Sequence, residues 1–307
     1  MCGIIATLCT NPGLCSSILF SGLKYMQNRG YDSAGICSVN SENEKYQTTL
    51  TKFASTEEKS ALELIEPYLC AHANSFVGFG HTRWATHGAK TDTNSHPHTS
   101  TNGYFTIVHN GILENYRDLK YYLIEKGMKF QSETDTEVIV NMIDYFVMDL
   151  DLSIEQAMNK LYHEFQGTFA IIVQYRKTPK KLYAMKKGSP LLIGKNKTSV
   201  IATSEKSGFL NLIHEYIVLE PNDICVMEIE KDKVSFQKGF KEGKEKAKPQ
   251  SENSVKVSSK NLNQTPARLK KAGVDISEIK PGIKENTKVA TVKSHTHNVP
   301  TLLIEHI

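Results

Sequence analysis

The chain commits itself within its first dozen residues. Gly3 to Cys9 is a short apolar run of β-type residues ending in Asn11-Pro12-Gly13, the pattern of a buried strand closed by a turn. The protein begins inside its own core, and the rest of the fold is assembled around that strand. Further apolar or alternating runs occupy 75–84, 104–108, 169–175, 181–185, 191–193, 199–202, 216–219 and 224–229, mostly bounded by Gly, Pro, Asn or Lys. Periodicity predicts three helices: 113–124, with Leu113, Tyr116, Leu119 and Leu123 on one stripe; 136–147, with Val138, Ile139, Met142, Ile143 and Phe146; and 154–165. Strands at both ends with helices grouped between them predict a layered α+β sandwich rather than a βαβ repeat.

Composition narrows the class. No run of eighteen apolar residues is present, and the start lacks the charged region of a secretory leader, so a cytoplasmic location without membrane contact is the expectation. Six cysteines without a C-x-x-C pair indicate neither a disulfide framework nor a zinc site, and reduced, mostly packed thiols are expected. From Lys231 onward 16 Lys and Arg stand against 8 Asp and Glu, whereas residues 1–230 carry 21 against 25. The basic character belongs to the tail. Its stretch 238–260 is rich in Lys, Glu, Ser and Asn and cannot bury enough apolar surface to offset its ordering entropy. Without regularly interleaved aromatics it reads as a solvated linker rather than a nucleic-acid surface. A domain at 2–240 and a basic linker or tail at 241–307 follow. Within the tail, 265–279 could form a short amphipathic helix and 299–307 is apolar enough to dock, while the preferred reading is a disordered or truncated tail.

Cys2 carries the first chemical signal. Removal of the initiator methionine leaves a cysteine with a free α-amine titrating near about 7.7–8 beside a thiol near about 8.5, so the nucleophile has a base built in. Position alone is weak support, because a cysteine beside a buried strand is commonly just packed there. Asn110-Gly111, between an apolar run and a helical stripe, reads by itself as a turn opening a helix. Thr134, Asp135 and Glu137 read as a helix N-terminus with a capping-box pattern.

The order of motifs decides between these readings. Behind Met-Cys-Gly-Ile come Asn28-Arg29-Gly30-Tyr31-Asp32-Ser33-Ala34-Gly35, His81-Thr82-Arg83-Trp84-Ala85-Thr86-His87-Gly88, Ser95-His96-Pro97-His98, Val108-His109-Asn110-Gly111-Ile112-Leu113-Glu114-Asn115 and Ser132-Glu133-Thr134-Asp135-Thr136-Glu137. Together they resemble the glutaminase domain of the glucosamine-6-phosphate synthases, a branch of the class II glutamine amidotransferases. The resemblance runs over roughly residues 2–230. It implies the four-layer αββα sandwich of the N-terminal-nucleophile hydrolases, followed here by a mostly irregular basic tail. It implies hydrolysis of L-glutamine to L-glutamate and ammonia through a Cys2 thioester, with Asn110 and Gly111 as the oxyanion hole. Arg83 would pair with the glutamine α-carboxylate and Asp135 with its α-ammonium, while Trp84, Thr86 and His87 belong to a loop closing over the substrate. Arg29 is expected beside the nucleophile in a binding or supporting role. No cofactor is implied. The five histidines from His81 to His109 lack a metal-binding spacing, so no metal is expected.

Two features depart from the family. Synthases of this kind continue into sugar-isomerase domains that aminate fructose 6-phosphate, and the residues after Phe240 are too few for one. Thr203-Ser204-Glu205 also stands where a Ser-Asp-type signal is usual. The resemblance therefore implies a glutaminase supplying ammonia for the amination of fructose 6-phosphate by a synthase part absent from this chain, separate or missing, with a sugar-isomerase partner chain and homo-oligomerisation both left open. The alternatives are ammonia donation to another acceptor, or a regulatory module that keeps the glutamine pocket without catalysis.

Overall fold

The computed structural model describes residues 2–42, 45–84, 88–230 and 233–239, and beyond them the backbone of three short strands. One compact unit spans Met1–Gly243 and a second Lys244–Ile307. Along the first unit the strands are β1 (Gly3–Cys9), β2 (Ser33–Glu42), β3 (Lys45–Ala54), β4 (Ser75–Arg83), β5 (His98–Thr99), β6 (Phe105–Leu113), β7 (Gly167–Tyr175), β8 (Lys181–Lys187), β9 (Leu192–Lys195), β10 (Ser199–Thr203), β11 (Tyr216–Val218), β12 (Ile224–Glu230) and β13 (Lys233–Lys238). The helices are α1 (Cys15–Tyr25), α2 (Ala61–Ile65), α3 (Tyr116–Glu125), α4 (Asp135–Met148) and α5 (Ile154–Glu164). One sheet runs β11-β9-β10-β1-β4-β2-β3 and the other β13-β12-β8-β7-β6-β5. Every pairing in both is antiparallel.

Side-chain alternation stacks these elements into four layers. Along β1, Ile4, Ala6 and Leu8 face the other sheet, while Ile5 and Cys9 pack with Leu19 and Leu23 of α1 and Leu62 of α2. Along β7, Ala170 and Ile172 join the core between the sheets, and Phe169, Ile171 and Val173 join the one under α3, α4 and α5. A strand buried on both faces has no polar period, which is why both segments read as unbroken apolar runs. The order is α1 and α2, first sheet, second sheet, then α3 to α5. This is the expected αββα sandwich, with the N-terminal strand near the middle of its sheet between β10 and β4.

In the first unit α1, α2, β2, β3, β5 and β13 were not predicted and one boundary moved, the larger differences for local reasons. Helix α1 contains Ser16, Ser17, Ser21 and Gly22, all poor helix formers, and is held by packing on β1 and β4. The β2–β3 hairpin is obscured because β3 is an edge strand whose first half is exposed and has no apolar face. Leu113, expected to open a helix, instead ends β6, so Asn110-Gly111 lies inside a strand paired with Ala170 and Phe169 of β7.

In the second unit, β14 (Lys280–Pro281), β15 (Thr287–Val292) and β16 (Thr301–His306) form a small antiparallel sheet. It adds local order where composition alone suggested little, and takes in most of the apolar end at 299–307. The helix expected at 265–279 lies outside the described residues. Among the described residues no helix is long and apolar enough to cross a membrane.

Candidate active site

Two strand stripes converge at one end of the sandwich. On β4, Val77 and Phe79 lie in the core between the sheets, and the period of two carries His81 and Arg83 onto the same face. The intervening Gly78 and Gly80 let α1 pack close, since a Cβ at either would meet Leu19 or Leu23. On β6, Val108 faces the same inter-sheet core and carries Asn110 with it, while Ile107 faces the helices. Strand β1 runs beside β4 with Gly3 opposite Thr82, so Cys2 is set at the level of Arg83.

Cys2 is held by its neighbours on both sides. The Trp84 N–H donates to Sγ at 3.3 Å, and Sγ lies 3.6 Å from the Trp84 carbonyl oxygen. Asn110 Nδ2 donates to the Cys2 carbonyl at 2.9 Å. Burial pushes the thiol upward, opposed by the Trp84 N–H, the positive amino terminus, Arg83 and Arg29. Gly111 lines the same cleft. Its φ of 139° lies outside the range of L side chains, and a Cβ there would run into the Thr168 carbonyl of β7. Only glycine lets the backbone N–H occupy this place.

The opposite wall is the start of α4. Thr134 caps it by accepting from the Glu137 N–H at 3.4 Å. The reciprocal half of the expected capping box is absent: Glu137 instead accepts from Gln131 N, Ser132 N and Ser132 Oγ, at 2.8, 2.6 and 2.6 Å. This fixes the turn that delivers Asp135. One oxygen of Asp135 accepts from Leu113 N at 2.9 Å, and the other lies 3.5 Å from Thr136 Oγ1 and 3.9 Å from His109 Nδ1. Cys2, Arg83, Trp84, Gly111, Thr134, Asp135 and Thr136 thus line one cleft. A larger cavity of about 880 Å³ lies elsewhere, lined by Lys52, Lys129 and several hydroxyls but by no cysteine.

Arg83 is 4% exposed, near the charges of Asp32, Glu133 and Asp135. Trp84 is 45% exposed, its ring edge-on to Tyr31 at 5.5 Å. The chain following the tryptophan is anchored where it returns. Ala89 N donates to Glu133 at 3.0 Å, the Ala89 carbonyl accepts from Asn94 Nδ2 at 3.0 Å, and Lys90 pairs with Asp32. These anchors carry no recognisable motif and were not anticipated. Thr86 and His87 lie outside the described residues. Arg29 pairs with Glu205 at 2.7 Å, and Ser204 accepts from Ile4 N of β1 at 3.0 Å, so Thr203-Ser204-Glu205 fastens Arg29 near Cys2. Gly30 completes this contact, since a Cβ would approach Trp84 N to 2.8 Å.

His81, His96, His98 and His109 are buried together beside the cleft, which His96 and His109 also line. His96 Nε2 and His109 Nδ1 meet Thr136 Oγ1 at 2.7 and 2.9 Å, and His98 Nε2 meets Thr134 Oγ1 at 3.1 Å. No group of three or more metal-ligating side chains is arranged for a metal ion among the described residues. Burial lowers all four pKa values, that of His81 to about 3, and lowers buried His72 to about 4. The unfolded chain titrates its histidines near about 6.5, so below that pH it binds protons the folded state refuses. Stability is retained above about pH 6.5 and falls as pH drops toward the folded-state values, by up to about 1.4 kcal/mol per pH unit for each histidine. Urea unfolding midpoints should decline steeply between about pH 6.5 and pH 5. A midpoint unchanged over that interval contradicts neutral burial of these rings.

Comparison with known proteins agrees with the geometry. Residues 81–211 match the glutamine amidotransferase domain family. The chain is 39% identical over 241 residues to a probable glutamine–fructose-6-phosphate aminotransferase (isomerizing) of Acanthamoeba polyphaga mimivirus, covering 76% of this chain and 38% of the relative. It is 36% identical over 239 residues to the enzyme of that name from Caldanaerobacter subterraneus subsp. tengcongensis, covering 77% and 36%. The Staphylococcus aureus enzyme is 38% identical over 234 residues, covering 76% and 37%. The chain spans little more than a third of these relatives. Among solved structures, the glutamine phosphoribosylpyrophosphate amidotransferase of B. subtilis superposes with a TM-score of 0.60 at 21% identity, over 76% of this chain and 48% of that one. An allosteric regulatory enzyme of purine biosynthesis gives 0.62 at the same identity and coverage. These two share the fold.

Proposed function

We propose that this chain, which belongs through its first three quarters to the class II glutamine amidotransferases and is homologous there to the glutamine-hydrolysing part of the glutamine–fructose-6-phosphate aminotransferases, hydrolyses L-glutamine to L-glutamate and ammonia. The supporting observation is convergence: Cys2, Arg83, Gly111 and Asp135 line one cleft although 133 positions separate the first from the last, and Asn110 reaches Cys2 from the facing sheet. With Met1 removed, the Cys2 α-amine takes the thiol proton as Sγ attacks the side-chain carboxamide. The Trp84 N–H at 3.3 Å favours the developing thiolate. The tetrahedral oxygen is received by the Gly111 N–H and by an Asn110 amide hydrogen, the other being engaged by the Cys2 carbonyl. The amine then protonates departing ammonia, leaving a glutamyl thioester that water hydrolyses.

Arg83 and Asp135 select the substrate. A guanidinium and a carboxylate lining one cleft suit the adjacent α-carboxylate and α-ammonium of a free amino acid, and a peptide glutamine offers neither charge. Asp135→Asn keeps an acceptor for Leu113 N but loses the charge, and should raise KM for glutamine about 10- to 100-fold with an unchanged urea midpoint. A KM within twofold of wild type contradicts the assignment. Equal release of glutamate and ammonia from L-glutamine, by protein whose intact mass shows loss of Met1, tests the activity; processed protein without turnover rejects it.

The relatives' names add an acceptor. We assign amination of fructose 6-phosphate to a synthase part lying beyond the matched region, to which this domain delivers ammonia. Purification from the native host with mass spectrometry for sugar-isomerase sequence tests that partnership, and ammonia released without any such partner argues for another acceptor.

A further inference from the structure

His81 stands on the inward face of β4, paired in register with Ile4 of β1 and Gly35 of β2. Its Nε2 lies 3.0 Å from the His109 carbonyl oxygen and 3.0 Å from Asn110 Oδ1. Both neighbours are acceptors, so the proton belongs on Nε2. The Nδ1 atom is buried and has no hydrogen-bond partner, so a proton placed there would be stranded. The ring is packed against His96, whose ring lies 4.2 Å away at a tilt of 31° and is itself tied to Thr136.

We propose that His81 is a positioning residue that locks the orientation of the Asn110 side-chain amide. The amide is specified from both ends: Oδ1 receives the His81 Nε2–H, and Nδ2 donates to the Cys2 carbonyl at 2.9 Å. A flipped amide would set its NH₂ against the imidazole N–H and its oxygen against the Cys2 carbonyl, two repulsive contacts in a buried site. It would also present an oxygen where the tetrahedral oxygen has to be received. The lock does not titrate near neutral pH, because burial keeps the imidazole uncharged down to about 3. His81 touches neither substrate nor nucleophile and acts through Asn110. The catalytic consequence rests on the glutaminase reading, whereas the tautomer and the amide orientation do not.

Two substitutions separate positioning from packing. His81→Leu fills similar space without a donor, and His81→Gln can place an amide N–H near Nε2. His81→Leu should lower kcat for glutamine about 10- to 100-fold with KM within about twofold, His81→Gln should recover most of the loss, and His81→Leu in an Asn110→Ala background should cost less than about twofold. Equal losses in both backgrounds, a raised KM at unchanged kcat, or His81→Gln as impaired as His81→Leu each overturn the proposal. Long-range ¹H–¹⁵N correlation on the wild-type protein tests the lock without turnover. The expected result is the Nε2–H tautomer, with Asn110 side-chain amide resonances that move in His81→Leu and return in His81→Gln. An Nδ1–H tautomer, or Asn110 resonances indifferent to His81, overturns the proposal even if glutamine is not a substrate.

Discussion

Cys2→Ala is expected to lower glutamine turnover at least about 10⁴-fold, the scale seen when a covalent nucleophile is removed. The cost to the fold should be small. Cys2 precedes β1, and Ile4, Ala6 and Leu8, which hold that strand in the core, are untouched. Glutamine binding should survive, because Arg83 and Asp135 remain. Near-background glutamate release with retained glutamine binding by calorimetry is therefore expected. Cys2→Ala turning over within tenfold of wild type contradicts a covalent route.

Gly111→Ala should have the next largest effect, for a backbone reason. At φ 139° with the Thr168 carbonyl beside the missing Cβ, an alanine forces β6 away from β7 and carries the oxyanion-facing N–H with it. Loss of one such donor costs about 10²–10³ in kcat, and the unfolding midpoint should fall as well. Asn110→Ala should show a comparable loss of kcat with a smaller loss of stability, since it removes a side chain and leaves the strand pairing intact. Equal midpoints for Gly111→Ala and wild type would contradict the strain argument.

How much of this was legible in the sequence differs by element. β1 and β7 were plain because strands buried on both faces are continuously apolar. α1 and β3 were not, since one is held by packing its Leu19 and Leu23 against Ile5 of β1 and the other is an exposed edge. The motif order brought Cys2, Arg83, Asn110 and Asp135 to notice together. Read without it, Asn110-Gly111 was a turn, and only the register with Ala170 and Phe169 places it within a strand. His81 had no signal of its own as a supporting residue. Its role depends on the face shared with Phe79 and Arg83 and on Asn110 reaching across from the other sheet, a relation between strands that local sequence does not encode. The anchors around Ala89 are likewise tertiary, joining its own segment, with Lys90 and Asn94, to Glu133 and Asp32 from distant ones.

The central claim is a glutamyl thioester on Cys2, and hydroxylamine tests it most directly. The nucleophile attacks the thioester carbonyl, expels the Cys2 thiolate and yields γ-glutamyl hydroxamate in place of glutamate. With hydroxylamine added during turnover, hydroxamate should appear as glutamate declines and should be missing in Cys2→Ala. Glutamate release that continues undiminished without hydroxamate, or hydroxamate formed equally by Cys2→Ala, would contradict the account.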